Sequence, residues 1–116
     1  MILRIVNFTL NGIDDEQYRH HAESVADNFN QWEGLAAKLW LHDPDTCTYG
    51  GAYLFADQAA ADASRATDLF HKMEANPAFA DLWVQEYVVI ERLTAITGGT
   101  ALASPSAASP AERTAT

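Results

Sequence analysis

Two apolar runs joined by a short polar turn and bracketed by helical patterns, NQWEGLAAKLWLHDPDTCTYGGAYLFAD from Asn30 to Asp57, restrict this chain to folds built around a strand hairpin. The first run, Gly34 to Leu41, sets Leu35, Ala37, Leu39 and Leu41 against Ala36, Lys38 and Trp40, the period of two expected of a half-buried strand. The second, Tyr49 to Phe55, carries Gly50-Gly51 ahead of Ala52-Tyr53-Leu54-Phe55. Glycine inside a strand forgoes packing and costs backbone entropy, so the pair marks a bulge or a place where another group approaches the backbone closely. A hairpin with one thinned wall is a candidate pocket edge.

The flanking segments complete the pattern. Ile2 to Leu10 reads as a strand with Ile2, Arg4, Val6, Phe8 and Leu10 on one face and Leu3, Ile5, Asn7 and Thr9 on the other. Asn11-Gly12 ends it, and Asp14-Asp15 supplies a cap and a favourable charge for a helix in which Tyr18, Ala22, Val25, Phe29 and Trp32 recur at steps of four and three. After the hairpin, Asp57 caps a second helix whose stripe runs through Ala59, Ala63, Ala66, Phe70 and Met73. Asn76-Pro77 breaks it and starts one more turn through Phe79, and Leu82 to Leu93 is the last strand. The order β-α-β-β-α-β is the α+β, ferredoxin-like unit: an antiparallel sheet with both helices on one face. Two helices cover one face, yet the strands are apolar on both. A homodimer in which two sheets pack together is therefore expected. This domain occupies residues 1–96; from about Thr97, Gly, Ala, Ser, Thr and Pro take over without any period, and residues 97–116 are expected to form a flexible tail.

Charge narrows the partners. Sixteen acidic residues against seven Lys plus Arg give a net charge of -9, which repels phosphate backbones and anionic membranes, so neither nucleic acid nor a membrane is expected as a partner. No segment reaches the roughly twenty apolar residues of a membrane span, and Met1 leads straight into a strand rather than a basic and then apolar leader, so a cytoplasmic location is expected. The single cysteine, Cys47, offers neither an intramolecular disulfide nor a metal-type spacing. His20 and His21 are adjacent and point about 100° apart on a helix, so they do not share a metal. No metal and no cofactor are expected.

Asn11-Gly12, Asn30-Gln31, Gly34-Leu35, Lys38, Trp40 and the run Gly50-Gly51-Ala52-Tyr53-Leu54-Phe55 into Asp57 together carry a family likeness. The chain resembles the dimeric α+β barrel superfamily and, within it, the YdhR-type monooxygenase group, from Ile2 to about Leu93. The resemblance implies a small-molecule pocket in each subunit, between sheet and helices. The superfamily includes antibiotic-biosynthesis monooxygenases that oxidise phenolic polycycles with O2 and no bound metal or flavin. It also includes polyketide cyclases, haem-degrading enzymes, dismutases and proteins of no known activity.

Site residues follow from side-chain chemistry. Lys38, Trp40 and His42 share a strand face, and a Trp wall beside a His at the strand mouth suits an aromatic substrate and a proton acceptor. The candidate catalytic groups are His42, Tyr53 and Asn7; the candidate substrate-binding groups are Trp40, Phe8, Tyr49, Gly51, His71 and His21. Each has a plainer counterpart: Trp40 as core or dimer packing, His42 as the opening of the polar turn, His71 as positive charge at a helix C-terminus. Three functions stay open: a cofactor-independent monooxygenase on a small apolar aromatic ligand, a polyketide cyclase or isomerase in the same pocket, and a non-catalytic small-molecule-binding dimer.

Overall fold

The computed structural model describes residues 1–103. Four strands, β1 (Ile2–Leu10), β2 (Leu35–Asp43), β3 (Thr48–Phe55) and β4 (Phe79–Val88), form one antiparallel sheet in the order β2-β3-β1-β4. Helices α1 (Asp15–Val25), α2 (Gln58–Arg65) and α3 (Asp68–Ala75) connect them, and a short α4 (Glu91–Ile96) follows β4. The ferredoxin-like α+β order read from the sequence is the order observed. Asp14 opens α1 with a reciprocal capping box to Gln17, and Asp57 caps α2 through the Ala60 amide.

The strand register decides what faces the helices. Ile2, Arg4, Val6 and Phe8 stand opposite Phe55, Tyr53, Gly51 and Tyr49, and this face holds the buried side chains. Across the hairpin the same face carries Lys38, Trp40 and His42 opposite Tyr53, Gly51 and Tyr49. A register shift between Leu35 and Ala37 turns Leu35 towards the core as well, while Leu39 and Leu41 stay on the other face. The glycine pair marks close approach rather than a bulge: a Cβ on Gly50 would stand 1.8 Å from the Val6 carbonyl oxygen.

Three element boundaries differ from the sequence reading. The helix expected to run from Asp14 to Trp32 ends at Val25 and tightens into a 3-10 segment, Ala26–Gln31, where Asp27, Asn28 and Asn30 are poor helix formers. The stripe expected from Ala59 to Met73 is divided between α2 and α3. The Ala66 and Thr67 amides turn back to the Ala63 and Ser64 carbonyls, and the Thr67 hydroxyl also donates to the Ser64 carbonyl while capping α3, so local polar groups close α2 and start α3. The last strand starts at Phe79 and stops at Val88, not Leu82 to Leu93. The turn expected from Asn76 through Phe79 is present: the Phe79 amide donates to the Asn76 carbonyl and the Ala78 amide to Asn76 Oδ1, and the chain enters the sheet at Phe79 itself. Of the segment 97–116 expected as a tail, Gly99–Ala103 forms a 3-10 turn; the remainder lies outside the described residues.

On the helix-free face Leu39, Trp83 and Tyr87 are 47%, 46% and 50% exposed. Among the described residues no helix is long and apolar enough to cross a membrane.

Candidate functional site

An apolar cavity of about 130 Å³ lies between the sheet and the helices. Its floor is Phe8, Lys38, Trp40, Gly50 and Tyr53, its end wall is Phe79, and its roof is Tyr18, His21, Ala22 and Val25 of α1, Phe29 of the 3-10 segment, and Leu69, Lys72 and Met73 of α3. The tightening of the chain after Val25 brings Phe29 over the sheet, edge-on to Trp40 at 5.7 Å and tilted against Tyr53 at 5.9 Å. At the other end Phe8 stacks on Phe79 at 4.3 Å, with Tyr18 edge-on to both. Aromatic rings thus wall the cavity on several sides, a lining suited to a flat apolar molecule.

The polar groups inside are few. Lys38 crosses the floor, and its Nζ lies 3.4 Å from the ring centroids of both Phe29 and Trp40 and 4.5 Å from that of Tyr53. Gly51 makes this possible, since a Cβ there would stand 3.1 Å from Tyr53 Cε1 and 3.2 Å from Lys38 Cε. No carboxylate pairs with Lys38 among the described residues. Ring faces hold part of its charge, but desolvation pushes the amine down to about 7. Desolvation also pushes the Tyr18 phenol up to about 12 and holds that of Tyr53 higher still, so both remain protonated hydrogen-bond donors at neutral pH.

Beyond Trp40 and Tyr18 a more open depression of about 270 Å³ is lined by Arg19, Glu23, Leu41, His42 and Tyr49. Here His42 stacks on Tyr49 at 4.3 Å, and its Nδ1 is 3.2 Å from Arg19 Nη2. The Tyr49 hydroxyl donates to Asp15 at 2.5 Å, which pushes the phenol up to about 12 and, together with Arg19, holds the Asp15 carboxyl below its usual range.

The residues singled out in the sequence are therefore not gathered in one place. Tyr53, Trp40, Phe8 and His21 line the inner cavity; His42 and Tyr49 line the outer depression. Gly51 lies beneath the Lys38 stem. Asn7 pairs with Gly50 and Trp83 on the helix-free face, so strand alternation takes it away from the cavity. His71 is exposed on α3, and its neighbour Lys72 is the residue of that turn that reaches the cavity. Lys38 was placed on the right face by the sequence but given no role. Its position among the rings of Phe29, Trp40 and Tyr53 is what sets it apart, and the hint in the sequence was the glycine pair, which β2–β3 pairing brings beside it. Among the described residues no three His, Cys, Asp or Glu side chains gather into a metal-binding group.

The profile of the family described as "Putative mono-oxygenase ydhR" matches residues 2–100. No curated protein sequence matches the chain. Among solved structures, a putative antibiotic biosynthesis monooxygenase from Deinococcus radiodurans is similar at 14% identity and a TM-score of 0.65, over 77% of this chain and 92% of that one. SnoaB, a cofactor-independent oxygenase from Streptomyces nogalater, is similar at 17% identity and a TM-score of 0.63, over 76% and 91% of the two chains. The NE2512 protein from Nitrosomonas europaea, of unknown function, is similar at 17% identity and a TM-score of 0.66, over 77% and 88%. At these identities the likeness is one of fold.

Proposed function

The chain belongs to the ydhR mono-oxygenase family, and from that premise we propose that it is a cofactor-independent monooxygenase acting on a flat aromatic or polyketide-like phenol in the cavity between sheet and helices. The observation that carries this reading is the ring-walled cavity itself, with Trp40, Phe29, Phe8 and Phe79 around it and the un-ionised hydroxyls of Tyr53 and Tyr18 among its few polar groups. An acidic CH2 conjugated with an aromatic ketone loses one of its two protons to give an enolate, and that proton is returned to the peroxide oxygen in the next step. Electron transfer from the enolate to O2 and recombination give a hydroperoxide, which loses water to leave a new carbonyl. One oxygen atom enters the product and the other leaves in water, so no external reductant is needed. The protein's part is to desolvate the substrate, hold its plane against Trp40 and present hydroxyl donors to the oxygen on which charge develops.

His42 belongs to this reading as part of the outer depression, at the approach to the cavity rather than inside it. The working unit is a homodimer joined through the helix-free face, where Leu39, Leu41, Trp83 and Tyr87 stand exposed. Light scattering at micromolar concentration is expected to give twice the chain mass; a stable monomer overturns the dimer.

The activity is tested with an anthrone in an oxygen electrode without added metal, flavin or NADH. Consumption of O2 with formation of the quinone is the expected result, and Tyr53→Phe is expected to lower kcat/KM by about tenfold, the loss of one donor to a developing oxyanion. Turnover that proceeds without oxygen makes the protein a cyclase or isomerase instead.

A further inference from the structure

The chain has two lysines, Lys38 and Lys72, and both line the inner cavity, although the chain as a whole carries a net charge of -9. Among the described residues no carboxylate lines that cavity. Lys38 reaches it from β2 and Lys72 from α3, so the two charges enter from opposite layers. Lys38 is half-buried, and an ammonium drawn that far from water is ordinarily matched by a carboxylate of the same chain, because an uncompensated charge in an apolar surround is costly. The buried guanidinium of Arg4 obeys that rule, with Glu86 at 2.8 Å. Lys38 has three aromatic faces instead, which hold a cation without neutralising it.

We propose that the counter-ion of Lys38 is the ligand: the cavity takes a flat apolar molecule bearing an anionic oxygen, a phenolate, enolate or aromatic carboxylate, which the Lys38 ammonium meets while Lys72 adds positive charge at the rim. This rests on the reading of the cavity as the ligand site and not on the oxygen chemistry. The hydroxyls of Tyr18 and Tyr53 add donors around the same oxygen, and a charge-assisted hydrogen bond in a dry site is stronger than a neutral one.

A pH signature follows. The groups facing Lys38 are Tyr18 and His21 of α1, Tyr53 of β3 and Lys72 of α3, while Asp27 of the 3-10 segment lines a separate surface cleft that the Lys38 stem also borders. With its amine held near 7, Lys38 is largely neutral in the free protein at pH 8. An arriving anion favours the ammonium, so binding takes up a proton there, and affinity for a fully ionised ligand falls as pH rises above 7.

Naphthalene-2-carboxylate, ionised throughout, and naphthalene-2-carboxamide, of the same shape without charge, are titrated calorimetrically into the 116-residue chain at pH 6 and pH 8, in two buffers of different ionisation enthalpy. The carboxylate is expected to bind at least about tenfold more tightly than the amide at pH 6, with a smaller margin and proton uptake at pH 8. Lys38→Met is expected to bind both probes alike, and Lys38→Arg to keep the preference without proton uptake. A parallel titration with 2-naphthol separates the sources: Lys38-dependent binding of the naphthol with no carboxylate binding assigns the anion to a phenolate or enolate. Equal affinity of the native chain for carboxylate and amide with no Lys38-dependent naphthol binding, or a preference that survives Lys38→Met, overturns the proposal. Anion binding without oxygen consumption leaves it standing and overturns the oxygenase; oxygen consumption with no Lys38-dependent preference does the reverse.

Discussion

Arg4 and Lys38 are the two cations folded into the helix-facing side of the sheet, on strands separated by β3, and both look onto the ring of Tyr53. Arg4 is fully buried and fully engaged: Nε donates to Glu86, Nη1 to Ser64 and Nη2 to the Ala61 carbonyl, while its plane lies 4.7 Å from the Phe55 ring centroid. Desolvation lowers its pKa, and Glu86 offsets part of that. Glu86 in turn is held below its usual range, because hydrogen bonds and charge from Arg4 and Arg65 outweigh the desolvation that would raise it. Lys38 has rings and space. A planar fork with several donors serves as an anchor because each donor finds an acceptor in the chain. A single ammonium beside an open cavity has spare donors, and spare donors are what a ligand uses.

The largest expected effect is on the anchored side. Arg4→Ala removes a buried cation that ties β1 to β4 and to the end of α2, and is expected to cost about 3–5 kcal/mol, read as a lower midpoint in urea. A loss below about 1 kcal/mol would mean that Arg4 is no anchor. Next comes the close crossing of β3 by β1: Gly50→Ala forces the two strands apart and is expected to cost roughly 1–3 kcal/mol or more, also by denaturation.

The comparison sharpens when pH is varied. Lys38 has a folded value near 7 against 10.5 unfolded, so between those values the unfolded chain binds more protons and stability rises with pH. Below 7 the full cost of the desolvated charge is present. Lys38→Met is therefore expected to be more stable than the native chain at pH 6, with the gain shrinking to pH 10; a gain independent of pH would count against an unpaired amine. Glu86 works at the acid end. Its lowered value gives a contribution present above 4.5 and lost as pH falls below it, and Glu86→Gln is expected to flatten that limb of the stability curve.

The smallest effect concerns His42. Standing outside the inner cavity, it is expected to change turnover by less than about tenfold when replaced by Ala, whereas a loss of ~10²–10⁴ would identify it as the general base and move the chemistry to the outer depression.

Much of this was legible in the sequence because it is local. The period of two in Ile2–Leu10 and in the hairpin, the capping residues Asp14 and Asp57, and the glycine pair each report on neighbours a few residues away, and together they gave the order of elements along the chain, while a pocket between sheet and helices followed from the family resemblance. Alternation even placed Trp40 and Lys38 together on one face. The same rule, applied to Asn7, already set it opposite Phe8, and the structure keeps it on the helix-free side.

Other features depended on distant segments meeting. The end of α2 is tied to β1 because Arg4, sixty residues before Ser64, donates to the Ser64 hydroxyl and the Ala61 carbonyl. Leu35 turns inward because β2 slips against β3. Whether a lysine on a half-buried strand is solvated, paired or enclosed depends on what arrives above it, and here Phe29 descends from a helix that had to tighten first. Sequence by itself determined the elements, their faces and the family, since hydrophobic period and turn chemistry act over short range. Only tertiary structure decided which of the two cations on this face is paired by the chain and which has no carboxylate partner among the described residues, because ion pairing and desolvation are set by groups that are far apart until the chain folds.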